Sequence, residues 1–175
     1  MDFASAVGIA AHAYGARRDS SGRLLLAEAV NVAQALGSSA TEAALNSAVL
    51  YGVPQNTIWT LEDLARMGVD SLVCDVVDLL KHKRGETFMD FVRRVCAAPG
   101  LSGETARLVM VADLRIGIAR TDSDALRERY ESSLPLVRSN RERGPCRDPS
   151  ARGWVAASEA GDATPKVRRG RVENP

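Results

Sequence analysis

The sequence predicts an all-α fold, a bundle of about seven or eight helices. Apolar residues recur at helical spacing from residue 3 to residue 137, and no stretch alternates cleanly at period two as a half-buried strand would. The chain can also fill a core, because 45% of its 175 residues are hydrophobic. Phe3, Ala6, Val7, Ala10, Ala11 and Tyr14 form the first face at i, i+3, i+4, i+7. Leu25, Leu26, Ala29, Val30, Ala33 and Leu36 form the second, with Gly37 as its stop. Ala44, Leu45, Ala48 and Val49 make a third helix that closes near Gly52 and Pro54. Thr60 caps a short fourth, LEDLARM, with Asp63 at the acidic capping-box position. Val69, Leu72, Val73, Val76, Val77 and Leu80 are the fifth face. Phe88, Phe91, Val92 and Val95 are the sixth, ended by Pro99 and Gly100. Leu108, Val109 and Ala112 lie on a seventh, capped by Ser102 or Thr105. Asp122 or Ser123 opens the last, which runs through Leu126, Tyr130, Leu134 and Val137.

After Val137 no Leu, Ile, Phe, Met or Tyr follows, and Gly144–Pro175 holds four of the seven prolines. Such a segment buries too little apolar surface to offset the entropy of ordering it. The expected organisation is a helical domain over 1–143 and a disordered Pro-, Gly- and Arg-containing tail over 144–175. KVRRGR at 166–171 reads as solvated charge, with contact to an acidic partner as the alternative.

The formal net charge is +1, so nothing global points to a nucleic-acid or membrane-surface binder. No apolar run approaches the ~18 residues of a spanning helix. The N-terminus lacks the basic region of a secretory signal. Cys74, Cys96 and Cys146 are widely spaced and odd in number, which fits reduced thiols in a cytoplasmic protein. The Ala- and Arg-rich composition fits a GC-rich bacterial genome.

There is no glycine-rich phosphate loop, CxxC, HExxH or GxSxG. His12 and His82 are the two histidines, and each alone reads as a surface or structurally bonded side chain. Composition and spacing therefore reach a helical domain and no enzyme class.

Four segments say more. AHAYGARRDSSGRLLLAEAVNVAQALG at 11–37 resembles the opening of HD-domain phosphohydrolases, in particular the RelA/SpoT-type guanosine-polyphosphate (ppGpp) hydrolases and their small stand-alone relatives. Arg17, Arg18, Asp19 and Gly22 match that group's R-K-D-x-x-G loop. AVLYGVPQNTIWTLEDLARMG at 48–68 resembles its A-x-L-H-D-x-x-E-D-T-x-x-T-x-E-D-L segment. VVDLLKHKRGETFMDFVRRV at 76–95 and ARLVMVADLRIGIA at 106–119 are similar to the two helical segments that follow, so the resemblance spans about residues 4–140. It implies an HD-domain-like helical bundle.

It also implies a divalent metal, manganese in the ppGpp hydrolases, held by a His, an adjacent His-Asp pair and a distant Asp. Such an ion acidifies a bound water for attack on phosphorus, with a Glu-Asp pair assisting. Carried onto this chain, the first His falls on Glu28 and the Pro after it on Ala29. The His-Asp pair falls on Tyr51 and Gly52, and the Glu-Asp pair on Gln55 and Asn56. Asp113 keeps the last ligand, while the neighbouring family Arg and Asn become Leu114 and Gly117. Gly52 offers no donor, and the phenol of Tyr51 ionises near ~10. Glu28 and Asp113 are thin as a manganese cage without imidazole. Gln55 and Asn56 keep the volume of the acids but take no proton.

Arg17 and Arg18 are retained in the loop that the resemblance places near the nucleotide, so they are candidate phosphate clamps, with plain surface charge as the alternative. By the same analogy His82, in the basic turn with Lys81, Lys83 and Arg84, edges the pocket; a solvated loop is its plainer reading. The expectation is a degenerate, non-catalytic HD-domain protein without a cofactor that binds a nucleotide or a protein partner. The alternative is a manganese-dependent phosphohydrolase working through Glu28 and Asp113, with His12 or His82 as a further ligand. A third reading is a scaffold whose helical surface and basic tail engage another macromolecule.

Overall fold

Asp2 starts the first helix, because its carboxylate accepts the Ser5 backbone N–H at 2.7 Å. The computed structural model describes residues 1–143, with side chains to residue 139; the expected tail over 144–175 lies outside the described residues. Helices α1 (Phe3–Tyr14), α2 (Leu25–Ala35), α3 (Glu42–Leu50), α4 (Val53–Asn56) and α5 (Leu61–Arg66) come first. Then follow α6 (Ser71–Leu80), α7 (Phe88–Ala97), α8 (Gly100–Arg120) and α9 (Asp124–Arg143). Among the described residues there is no strand; Arg18 and Leu24 form one isolated antiparallel bridge. No described helix is long and apolar enough to cross a membrane.

The all-α class and the eight expected helices stand. The additional helix, α4, is a single turn, and Pro54, expected only as a stop for the preceding helix, sits in its first turn, where a missing N–H costs nothing. The Thr60–Asp63 capping box forms with both reciprocal bonds. One cap differs from expectation. The long helix α8 begins at Gly100 rather than after Ser102 or Thr105, with no side-chain cap. Gly100, at φ 69°, turns the chain directly from Pro99 into α8. A Cβ at Gly103 would stand 2.0 Å from the Ala98 carbonyl oxygen, so only glycine allows this approach. Ser102 and Thr105 are thereby drawn inside the helix.

The core is built around α8, against which α2, α3, α6, α7 and α9 all pack. Ala106, Val109, Met110, Ala112 and Leu114 are buried along it, too many successive positions for one helical stripe, as expected of a helix surrounded by neighbours. Val73, Val76 and Val77 of α6 and Val92 and Val95 of α7 close the same core. α9 runs through Pro135, whose ring frees a carbonyl on the exposed side of the helix at Glu131, and it still buries Val137. These packings bring the ends of α1 and α3, the middle of α2 and the C-terminal half of α8 to one cleft.

Candidate functional site

Asp113, a third of the way back from the C-terminus of α8, lies at the junction of three adjoining cavities of about 200, 430 and 220 Å3. The smallest two share Tyr51, Leu80, His82 and Phe91 as well. Glu28 from α2, Tyr51 and Gly52 from the end of α3, and Gln55 and Asn56 from α4 line the same cleft. The fold thus assembles in one place every position onto which the resemblance carried a metal ligand or an acid.

Their polar groups are engaged with one another. The Tyr51 hydroxyl donates to Asp113 Oδ1 at 2.8 Å. Arg120 Nη1, two turns beyond Asp113 on α8, donates to both carboxylate oxygens of Glu28 at 2.6 Å, and Arg23 Nε stands 3.5 Å from the same carboxylate. The Tyr14 hydroxyl occupies the space beside Gly52: a Cβ there would lie 2.7 Å from it. Asn56 Nδ2 donates to the Gly52 carbonyl at 2.8 Å, a bond that an ionised Asp at this position would lack. Gln55 Oε1 accepts the His82 backbone N–H at 3.3 Å.

The electrostatics follow from this crowding. Burial pushes the Tyr51 phenol well above its ordinary value, and the Asp113 carboxylate adds to the shift. Burial also raises Asp113; the Tyr51 hydrogen bond opposes the rise and the charge of Glu28 adds to it. The Tyr14 phenol is raised by burial, with the Gly52 amide opposing. Neither Tyr14 nor Tyr51 is an anion at neutral pH.

Among the described residues, no three His, Cys, Asp or Glu side chains stand together as a metal-binding group. The donor set does not fit a divalent cation. Glu28 is neutralised by Arg120, Asp113 accepts from a phenol that does not ionise near neutrality, and position 52 has no side chain.

Arg17 and Arg18 are exposed and line none of the three cavities; Arg18 Nη1 donates to the Gly22 carbonyl at 2.7 Å. The matched loop is organised instead by Asp19, whose carboxylate accepts the backbone N–H groups of Ser21 and Arg23 and pairs with Arg23 Nε at 3.1 Å. Gly22 takes φ 80° in this turn. The loop arginine that reaches the cleft is therefore Arg23. His82 does line the cleft, its ring 3.9 Å from that of Phe91. Burial, aided by Arg94, lowers its pKa from 6.5, while Glu86 opposes. His12 lies elsewhere, edge-on to Trp59 at 5.5 Å.

Tyr14, Arg23, Arg120 and Tyr130 were not expected at the site. The three tyrosines of the chain all line the cleft. Tyr130 from α9 fills the space beside Gly117: a Cβ there would meet its ring at 2.8 Å. A signal for Arg120 is present in the sequence, since Asp113, Gly117 and Arg120 follow i, i+4, i+7 on one helical face.

No protein-family model and no curated protein matches the sequence. Among solved structures, the chain is similar to a protein described as "a metazoan ortholog of SpoT" that "hydrolyzes ppGpp and plays a role in starvation responses". The TM-score is 0.62 at 20% identity, over 82% of this chain and 87% of that one. The chain therefore shares the HD-domain-like helical fold of a ppGpp hydrolase.

Proposed function

We propose that this chain is a non-hydrolytic binding protein built on the hydrolase fold, receiving a partner in the cleft around Asp113 without turning it over. The observation that carries this reading is the internal pairing of the cleft: Tyr51 on Asp113, Arg120 on Glu28, and the Tyr14 hydroxyl beside Gly52. Four helices, α1, α2, α3 and α8, contribute groups that satisfy one another where the hydrolases place an ion and its water. Gln55 and Asn56 supply no general base.

Of the two expected occupants, a protein partner suits the charge of the cleft better than a phosphate held inside it. Asp19, Glu28, Asp113 and Asp122 line the cavities against Arg23 and Arg120, so an enclosed phosphate meets net repulsion. A nucleotide is favoured by one feature, the row of rings formed by His82, Phe91, Phe88 and Tyr130, on which a base could stack with its phosphates outside. Incubation of the purified chain with ppGpp and manganese tests the reading. The expected result is no release of pyrophosphate above a protein-free control. Release that disappears in Asp113→Ala would refute the non-hydrolytic role and establish the alternative hydrolase.

A further inference from the structure

The cavity of about 200 Å3 has a lining of unusual composition: a row of aromatic rings, an apolar floor and one carboxylate. His82 and Phe91 are 3.9 Å apart between centroids, Phe91 and Phe88 6.4 Å, and Phe88 and Tyr130 5.7 Å, so the rings form a continuous wall. Asp113 lines this cavity with Oδ1 taken by the Tyr51 hydroxyl. Among the described residues no cationic side chain pairs with it. Glu28, by contrast, has Arg120. The cavity lining contains no Lys or Arg, and its one histidine, His82, packs its ring on Phe91.

A half-buried carboxylate without a counter-charge, in a cavity lined by aromatic rings, favours a cation over any anion of similar size. The same rings already attract guanidinium groups: Arg94 stands 5.4 Å from the centroid of Phe91 and Arg129 5.8 Å from that of Phe88. Neither arginine lines the cavity.

We infer that this cavity binds an organic ammonium group, seated against the wall of Phe88, Phe91 and Tyr130 and neutralised by Asp113. The inference rests on the non-hydrolytic reading of the cleft and specifies the chemistry of what enters it. Such a group arrives either as a small free amine or as the ammonium of a partner protein's lysine side chain.

Titration calorimetry on the full chain tests it, with choline compared against 3,3-dimethyl-1-butanol, its neutral isostere. The expected result is at least about a tenfold preference for choline, within the range of a desolvated cation–π contact joined to an ion pair. Asp113→Asn, which keeps an acceptor for Tyr51, abolishes the preference, and Phe88→Leu weakens choline binding with the apolar volume retained. A lysine derivative with blocked backbone ends, Nε-trimethylated, separates the sources: tighter binding than choline assigns the group to a protein side chain, weaker binding to a small free cation. Equal binding of choline and the isostere, or no choline binding up to about 10 mM, would overturn the inference. The parent chain alone gives this comparison, so it holds even where a variant fails to fold. Pyrophosphate release from ppGpp would instead overturn the reading beneath it, so the two failures are told apart by different assays.

Discussion

Gly52 and Tyr14 act as one unit, since the Tyr14 hydroxyl fills the volume that any side chain at 52 would need. Restoring the family residue by Gly52→Asp should therefore destabilise the fold by about 1–3 kcal/mol, the usual cost of overpacking. Tyr14→Phe in the same chain should recover part of that loss, and urea denaturation of the two single variants and the double variant measures the coupling. Strict additivity would mean that the two residues do not share this space. Asp113 gives a second test at this scale. Burial raises its pKa above 3.8 in the folded state, so the folded chain holds the proton more tightly than the unfolded one. Stability must then fall as pH rises from about 3.8 through the raised value. Asp113→Asn removes this dependence, and the variant should gain on the parent across that window. Denaturation midpoints at a series of pH values check it; a variant that loses stability relative to the parent as pH rises would contradict the burial of this charge.

The turn that carries His82 is held by α7. Arg94 donates to the carbonyls of Leu79 and Lys81 at 2.8 and 2.9 Å and grips Glu86 through Nε and Nη2 at 2.6 and 2.9 Å. That grip pulls the Glu86 carboxyl from 4.5 down to about 2, so its contribution is present above 4.5 and is lost as pH falls toward 2. Glu86→Gln should cost about 2 kcal/mol at neutral pH, as expected for a charge-assisted pair, and the difference from the parent should fade on acidification. At the C-terminal end of α7, the buried Arg107 donates to the carbonyls of Cys96 and Ala98 at 3.3 and 2.8 Å. Arg107→Ala should lower stability by about 2 kcal/mol or more, because it strips the helix end of its donor in a dry site; thermal unfolding measures this. Most of these elements were legible as periodic apolar faces. α4 was not, since four residues show no period, and the start of α8 was missed because a close approach at Gly103 leaves no local signature. Periodicity also placed Tyr14 and Tyr130 on buried faces without showing that both rings border a cleft.

Across the whole molecule, the fold is that of a ppGpp hydrolase while the groups at its centre are bonded to each other. The positions of the cleft were readable in the sequence through the resemblance, because packing around α8 fixes where α2 and α3 meet it, and α4 follows α3 directly. The pairings were not readable. Glu28 and Arg120 are 92 residues apart and Tyr51 and Asp113 are 62 apart, distances at which only the fold decides who meets whom. Fold alone does not confer the hydrolase's chemistry, and here the side chains decide. The measurement that bears most directly on this is the metal content of the purified chain after exposure to manganese and removal of free ion. The internal pairing predicts no stoichiometric metal in the parent chain and no change in Asp113→Ala. One manganese per chain, lost in Asp113→Ala, would contradict it.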